Sequence, residues 1–222
     1  MNLEFKKELP IIGIVLIPFA YLAFIWNTLP EKVPVHWNIN GEIDRWGSKS
    51  FLIALVFMLP VLMYAIMFAA SKLDPKNRIS LMGKKFYQLK FFMVLFMSLL
   101  ALFLLYVSKN HVVSNPNFIY VLAGILIMVL GNYFKVIQPN YFIGIRTPWT
   151  LESQEVWKAT HAFAGKLWFL GGIIIILGGL IFSGFIFAKA FMVIGITLAF
   201  VPIGYSFIKF KQLEKNKGNH NS

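Results

Sequence analysis

Leu167-Trp168-Phe169-Leu170-Gly171-Gly172-Ile173-Ile174-Ile175-Ile176-Leu177-Gly178-Gly179-Leu180-Ile181-Phe182-Ser183-Gly184-Phe185-Ile186-Phe187-Ala188 is a run of 22 residues without one Asp, Glu, Lys or Arg. At about 1.5 Å per residue, a helix of that length covers a hydrocarbon core of roughly 30 Å. Five further charge-free runs share the chain: Ile11–Leu29, Ser50–Ser71, Phe91–Ser108, Val112–Phe134 and Ala190–Ile208, of 19, 22, 18, 23 and 19 residues. Backbone facing lipid must satisfy its hydrogen bonds internally, so segments of this kind cross as helices. The expected fold is all-α: a polytopic membrane helical bundle of six transmembrane helices in one domain, with a small extracellular hairpin between helices 1 and 2.

Composition agrees. Of 222 residues, 58% are hydrophobic and 14% charged, against roughly 25% charged in a soluble domain. There is no Cys, which excludes disulfides, thiolate metal sites and a Cys nucleophile. The net charge of +12 invites a nucleic-acid reading, but topology accounts for it more simply. With the N-terminus inside, residues 1–10, 72–90, 135–166 and 209–222 hold 16 Lys and Arg, and the outer segments hold 5. That asymmetry is expected to place both termini on the cytoplasmic side. Contact of Lys72, Lys76, Arg78, Lys84, Lys85 and Lys90 with anionic lipid is an expected by-product.

Along the chain, residues 11–70 carry spans one and two with their outer loop, and 91–134 carry spans three and four. An inner loop at 135–166 leads to spans five and six at 167–208. A polar tail at 209–222 is expected to fray. The first span is expected to be retained, because Trp26-Asn27-Thr28-Leu29-Pro30 rather than an Ala-x-Ala-like site follows it. Pro18, Pro60 and Pro202 should kink spans one, two and six. Spans five and six should turn tightly around Gly184–Lys189, and Gly171, Gly172, Gly178 and Gly179 give span five a small-residue face. The spans hold no acidic or basic residue and show no internal repeat, so neither a proton relay nor a transporter symmetry is visible.

Two loops break the apolar pattern. In the outer one, Val33-Pro34-Val35-His36-Trp37-Asn38-Ile39 alternates loosely and meets Asn40-Gly41, the residues of a tight hairpin turn. Ile43 and Trp46 follow on the return. Trp37 and Trp46, with His36, Asn38 and Asp44, suit either an aromatic interface belt or contact with a peptide, sugar or headgroup. His36, Glu42 and Asp44 lack diagnostic metal-ligand spacing, so no metal and no other cofactor is expected.

The inner loop is richer. Pro139 and Pro148 should stop the flanking helices, Gly144 permits a turn, and Ser153 can cap a helix that begins near Gln154. On that helix Trp157, Thr160, His161, Ala164, Gly165 and Trp168 share one face. Arg146, beside Asn140, Thr147 and Trp149, can clamp a carboxylate or phosphate, or else pair with Glu155 and merely staple the loop. His161 can titrate near neutrality or simply pack.

The order Gly131-Asn132, Pro139-Asn140, Gly144-Ile145-Arg146-Thr147-Pro148-Trp149-Thr150, Glu155-Val156-Trp157, Thr160-His161 closely resembles the signature of the SdpI family of bacterial membrane immunity proteins. Upstream, Leu29-Pro30-Glu31-Lys32-Val33-Pro34-Val35-His36-Trp37-Asn38 with Gly41, Asp44 and Gly47-Ser48-Lys49 resembles the small domain of unknown function often found ahead of it. The resemblance implies protection of the cell from a secreted, membrane-active toxin peptide. It also implies, for some members, sequestration of a transcriptional repressor at the membrane. No catalysis is expected, since no nucleophile–base pair stands out. The alternatives are a small lipid- or peptide-directed enzyme using Arg146, Glu155 and His161, and a transporter.

Overall fold

Among the described residues, helices occupy most of each charge-free run. The computed structural model describes residues 3–38, 43–75, 77–110, 117–182 and 184–220. In chain order it contains α1 (Leu3–Ile25), a short 3-10 turn (Trp26–Thr28), β1 (Lys32–Trp37), β2 (Ile43–Ser48) and α2 (Phe51–Val56). A π turn (Phe57–Val61) carries α2 into α3 (Leu62–Leu73), followed by α4 (Arg78–Leu81), α5 (Lys84–Asn110), α6 (Asn117–Phe134), α7 (Pro148–Glu152), α8 (Gln154–Ile181) and α9 (Gly184–His220). Among the described residues, six stretches are long and apolar enough to cross a membrane: Lys6–Thr28, Phe51–Leu73, Lys84–Asn110, Asn117–Phe134, Gln154–Ile181 and Ile186–Asn216. Large apolar side chains such as Phe24, Ile181 and Ile186 are more than two-thirds exposed, as lipid-facing residues are. The protein is an all-α, multi-pass membrane protein.

The prolines act unequally. Pro60 sits inside the π turn, where a widened turn accommodates its ring and its missing N–H. Pro18 and Pro202 lie within uninterrupted α1 and α9. Three other expectations need correction. Pro148 starts a helix instead of stopping one, because it occupies the first turn of α7, where its lack of an N–H costs nothing. The last two spans separate earlier than expected, since α8 ends at Ile181 and α9 begins at Gly184. The tail continues α9 as helix to His220, with Lys211 and Glu214 paired at 2.8 Å one turn apart.

The chain forms two compact units, Met1–Ala69 with Gln88–Ile119, and Ala70–Tyr87 with Tyr120–Ser222. In the first, Leu22, Ile25 and Leu29 pack with Val33, Leu52, Val56 and Leu105, so the base of the hairpin is anchored in the helix core. Lys90 donates to Glu8 at 2.5 Å, both largely buried, and lies over the Tyr64 ring. This pair joins α1 to α5.

In the second unit α6 and α8 cross at glycines. A Cβ on Gly131 would fall 2.8 Å from the Gly165 carbonyl, and one on Gly165 would fall 2.8 Å from the Gly131 carbonyl. The two backbones therefore touch directly. Gly172 repeats the arrangement against the Gly124 carbonyl, whereas Gly171 meets Leu198 and Gly178 meets Phe187 on α9. The expected single glycine face thus serves two neighbours. Trp168 Nε1 donates to the Leu198 carbonyl at 2.8 Å and holds α8 to α9.

Candidate functional site

The loop between α6 and α7 is built around Asn140, which is 2% exposed. Its Oδ1 accepts the backbone N–H groups of Phe142 and Ile143 at 2.8 and 2.7 Å. Its Nδ2 donates to the carbonyls of Gln138 and Ile143 at 2.7 and 3.1 Å. One buried side chain thus takes up four backbone groups of a loop that has no ladder. Arg78 Nη1 reaches the Pro139 carbonyl at 3.1 Å and fixes the loop's entry. The segment holding Arg78 is ordered in turn by Asp74, whose Oδ2 accepts the Ile79 N–H at 2.9 Å.

At the far end Thr147 caps α7. Its hydroxyl accepts the Thr150 N–H, while the Thr150 hydroxyl accepts the Thr147 N–H at 2.8 Å. This is a reciprocal capping box with Thr in the usual Glu position. Thr150 Oγ1, fully buried, also donates toward the Ile145 carbonyl at 3.0 Å. Ser153 then caps α8, accepting the Val156 N–H at 3.3 Å, as its position predicts.

The middle of the loop lies on the first turns of α8. Trp157, Thr160, His161, Ala164 and Gly165 are all buried, which establishes the expected face. Trp157 Nε1 donates to the Ile137 carbonyl at 2.8 Å, and its ring stacks on His161 at 4.1 Å. His161 Nε2 accepts the Ile145 N–H at 3.0 Å, so Nδ1 carries the proton and donates to the Trp157 carbonyl at 2.9 Å. Both ring nitrogens are occupied and the ring is 1% exposed. Gly144 completes the contact with φ +112°, and a Cβ there would meet His161 Nε2 at 2.5 Å. Glycine is required for the conformation and for the space.

Trp149 points to α9. Its Nε1 donates to Ser206 Oγ at 2.7 Å, and its ring packs edge-on to Phe207 and stacks near Phe210. Glu155 pairs with Lys209 at 3.6 Å, and Arg146 Nη1 donates to the Tyr141 carbonyl. The Arg146–Glu155 staple is therefore replaced by two separate contacts, because each side chain finds a nearer partner. Arg146, Glu155 and His161 each bind a different group, and no catalytic set is assembled from them. Tyr141, Phe142 and Arg146 are among the residues that the loop exposes.

The hairpin differs. Lys32 to Trp37 and Ile43 to Ser48 pair antiparallel, with irregularities around His36. His36 Nδ1 and Asp44 Oδ1 lie 2.6 Å apart on an exposed surface, where Trp46 is 48% exposed. Lys49 pairs with Glu31 at 2.7 Å and lies over the Trp26 ring. Asn38 follows β1 directly and is half-buried. The Asn40-Gly41 turn, with Ile39 and Glu42, lies outside the described residues, as does the Trp37 side chain.

Sequence reasoning missed Gly124, Asp74, Arg78 and Ser206 as partners of the signature. Asp74-Pro75 ahead of Asn77-Arg78 was the available signal for an ordered turn, while Ser206 could be found only in three dimensions.

Six apolar crossings and a polar loop folded back on its own helix define a multi-pass helical membrane protein with one motif-bearing loop. Residues 136–206 match the SdpI/YfhL protein family, and residues 13–64 match a domain of unknown function, DUF1648. The 136–206 part of the chain is similar to the SdpI/YfhL family. It is 28% identical over 172 residues to the immunity protein SdpI of Bacillus subtilis (strain 168), covering 77% of this chain and 80% of that one. No solved structure matches.

Proposed function

We infer that this chain is an SdpI-like membrane immunity protein that protects the cell from a secreted, membrane-active toxin peptide. The observation that carries the reading is the coincidence of the family match, residues 136–206, with a loop whose buried hydrogen bonds hold it in one shape. The similarity to a named immunity protein over most of both chains supports it. A non-enzymatic role fits the separate engagement of Arg146, Glu155 and His161. By the distribution of Lys and Arg, both termini and the signature loop face the cytoplasm and the hairpin faces outward.

On this reading the toxin meets the exposed His36–Asp44 pair and Trp46 from outside. A cytoplasmic partner, such as a sequestered repressor, meets Tyr141, Phe142 and Arg146. Coupling requires the toxin to prefer one of two arrangements of the helices. The test is survival of a toxin-sensitive bacterium expressing the chain, wild type beside Arg146→Ala. Protection by both, at equal protein levels, leaves immunity standing and removes Arg146 from it. Failure of the well-expressed wild type sinks the immunity reading. Arg146 is exposed, so its alanine variant should change unfolding stability by no more than about 0.5 kcal/mol.

A further inference from the structure

Beside the glycine crossing of α6 and α8 lies an open groove of about 370 Å³ that none of the functional readings above uses. Phe169 and Ala162 line its apolar part, while Asn132, Lys135 and Lys166 stand at its polar part. We propose that this groove binds one anionic phospholipid, with the phosphate between Lys135 and Lys166 and an acyl chain along Phe169.

Three observations select that occupant. Lys135 directly follows the charge-free run 112–134, and Lys166 directly precedes the run 167–188. Two independent segments thus place an ammonium where hydrocarbon gives way to water, the depth of a lipid phosphate. Both lysines are exposed, and neither forms an ion pair among the described residues. Because both ammoniums line one groove, an anion seated there is attracted by each of them. The groove also continues onto apolar wall, which a lipid tail covers and a free phosphate does not. Asn132, exposed at the same rim, can donate to a headgroup oxygen.

The site is independent of toxin protection, and its test needs no toxin. The full chain is purified into nanodiscs containing equal phosphatidylglycerol and phosphatidylcholine, and lipid retained on extraction into detergent is counted by native mass spectrometry. Phosphatidylglycerol should be retained over phosphatidylcholine by about tenfold. That preference should fall severalfold in Lys135→Gln/Lys166→Gln and in Ala162→Phe, which fills the groove without changing charge. It should persist in Lys84→Gln/Lys85→Gln. No preference in the wild type, or equal loss in the Lys84/Lys85 variant, overturns the proposal, as does displacement of the retained lipid by soluble glycerophosphate. Because the wild-type preference is read without any substitution, a misfolded variant does not rescue the idea.

Discussion

The hairpin Lys32–Ser48 and the loop 135–153 are both polar interruptions of an apolar chain, but they are held by opposite means. The hairpin uses a backbone ladder, which leaves His36, Asp44 and Trp46 exposed. The signature loop lacks a ladder, so Asn140, Thr147 and Trp149 of the loop and Trp157 and His161 of α8 turn inward to supply partners. A cluster of Asn, Thr, Trp and His therefore does not by itself mark a binding surface. In a loop without regular structure the same residue types are what backbone satisfaction requires.

Substitutions that separate these two modes differ widely in size. The largest effect is expected at Gly144. Gly144→Val adds a strained backbone to an overlap with His161 and should cost about 3 kcal/mol or more. A normal denaturation midpoint in detergent would refute the packing of loop on α8. Asn140→Ala removes four backbone partners, and about 2–3 kcal/mol of stability should go with them. Hydrogen exchange should then rise at Phe142 and Ile143 before the helices open; uniform exchange would mean that the loop is not a separate unit. Trp149→Phe keeps an aromatic ring beside Phe207 and Phe210 but loses the bond to Ser206 and part of the indole's packing. Loss of the bond should cost about 1 kcal/mol, the size expected of Ser206→Ala, and the double variant should lose less than the sum of the two single changes. Smallest is His36→Ala on the hairpin, where an exposed pair contributes no more than about 0.5 kcal/mol. A loss above about 2 kcal/mol there would mean that side chains, not the ladder, hold the hairpin, and the contrast would collapse.

Much of this was legible in the sequence. Absence of charge over 18 to 23 residues locates the crossings, since few other environments tolerate such runs. Ser153 and Gly144 announce a cap and a turn because both act on backbone within three residues of themselves. The buried face of α8 follows from spacing alone. What spacing does not give is direction and partner. Whether Asn140 points inward depends on its surroundings, and Glu155 pairs with Lys209 across 54 positions of chain. For Arg146 the sequence leaves open a clamp for an anion or a staple to Glu155, and its guanidinium turns to a carbonyl five residues back. Pro148 illustrates the same limit: it ends one element or begins another according to whether a cap precedes it.

The crossing of α6 and α8 has a consequence for how this protein can vary. Gly131 and Gly165 each leave room for the other's backbone, so a side chain at either position is excluded by main-chain atoms that cannot step aside. Any single-base change that replaces a glycine introduces at least a Cβ. Neither position can therefore drift alone, and a compensating change at the other offers no relief, since it cannot remove atoms that glycine already lacks. The geometry therefore predicts that glycine is retained at both positions, while the lipid-facing residues around them are free to exchange.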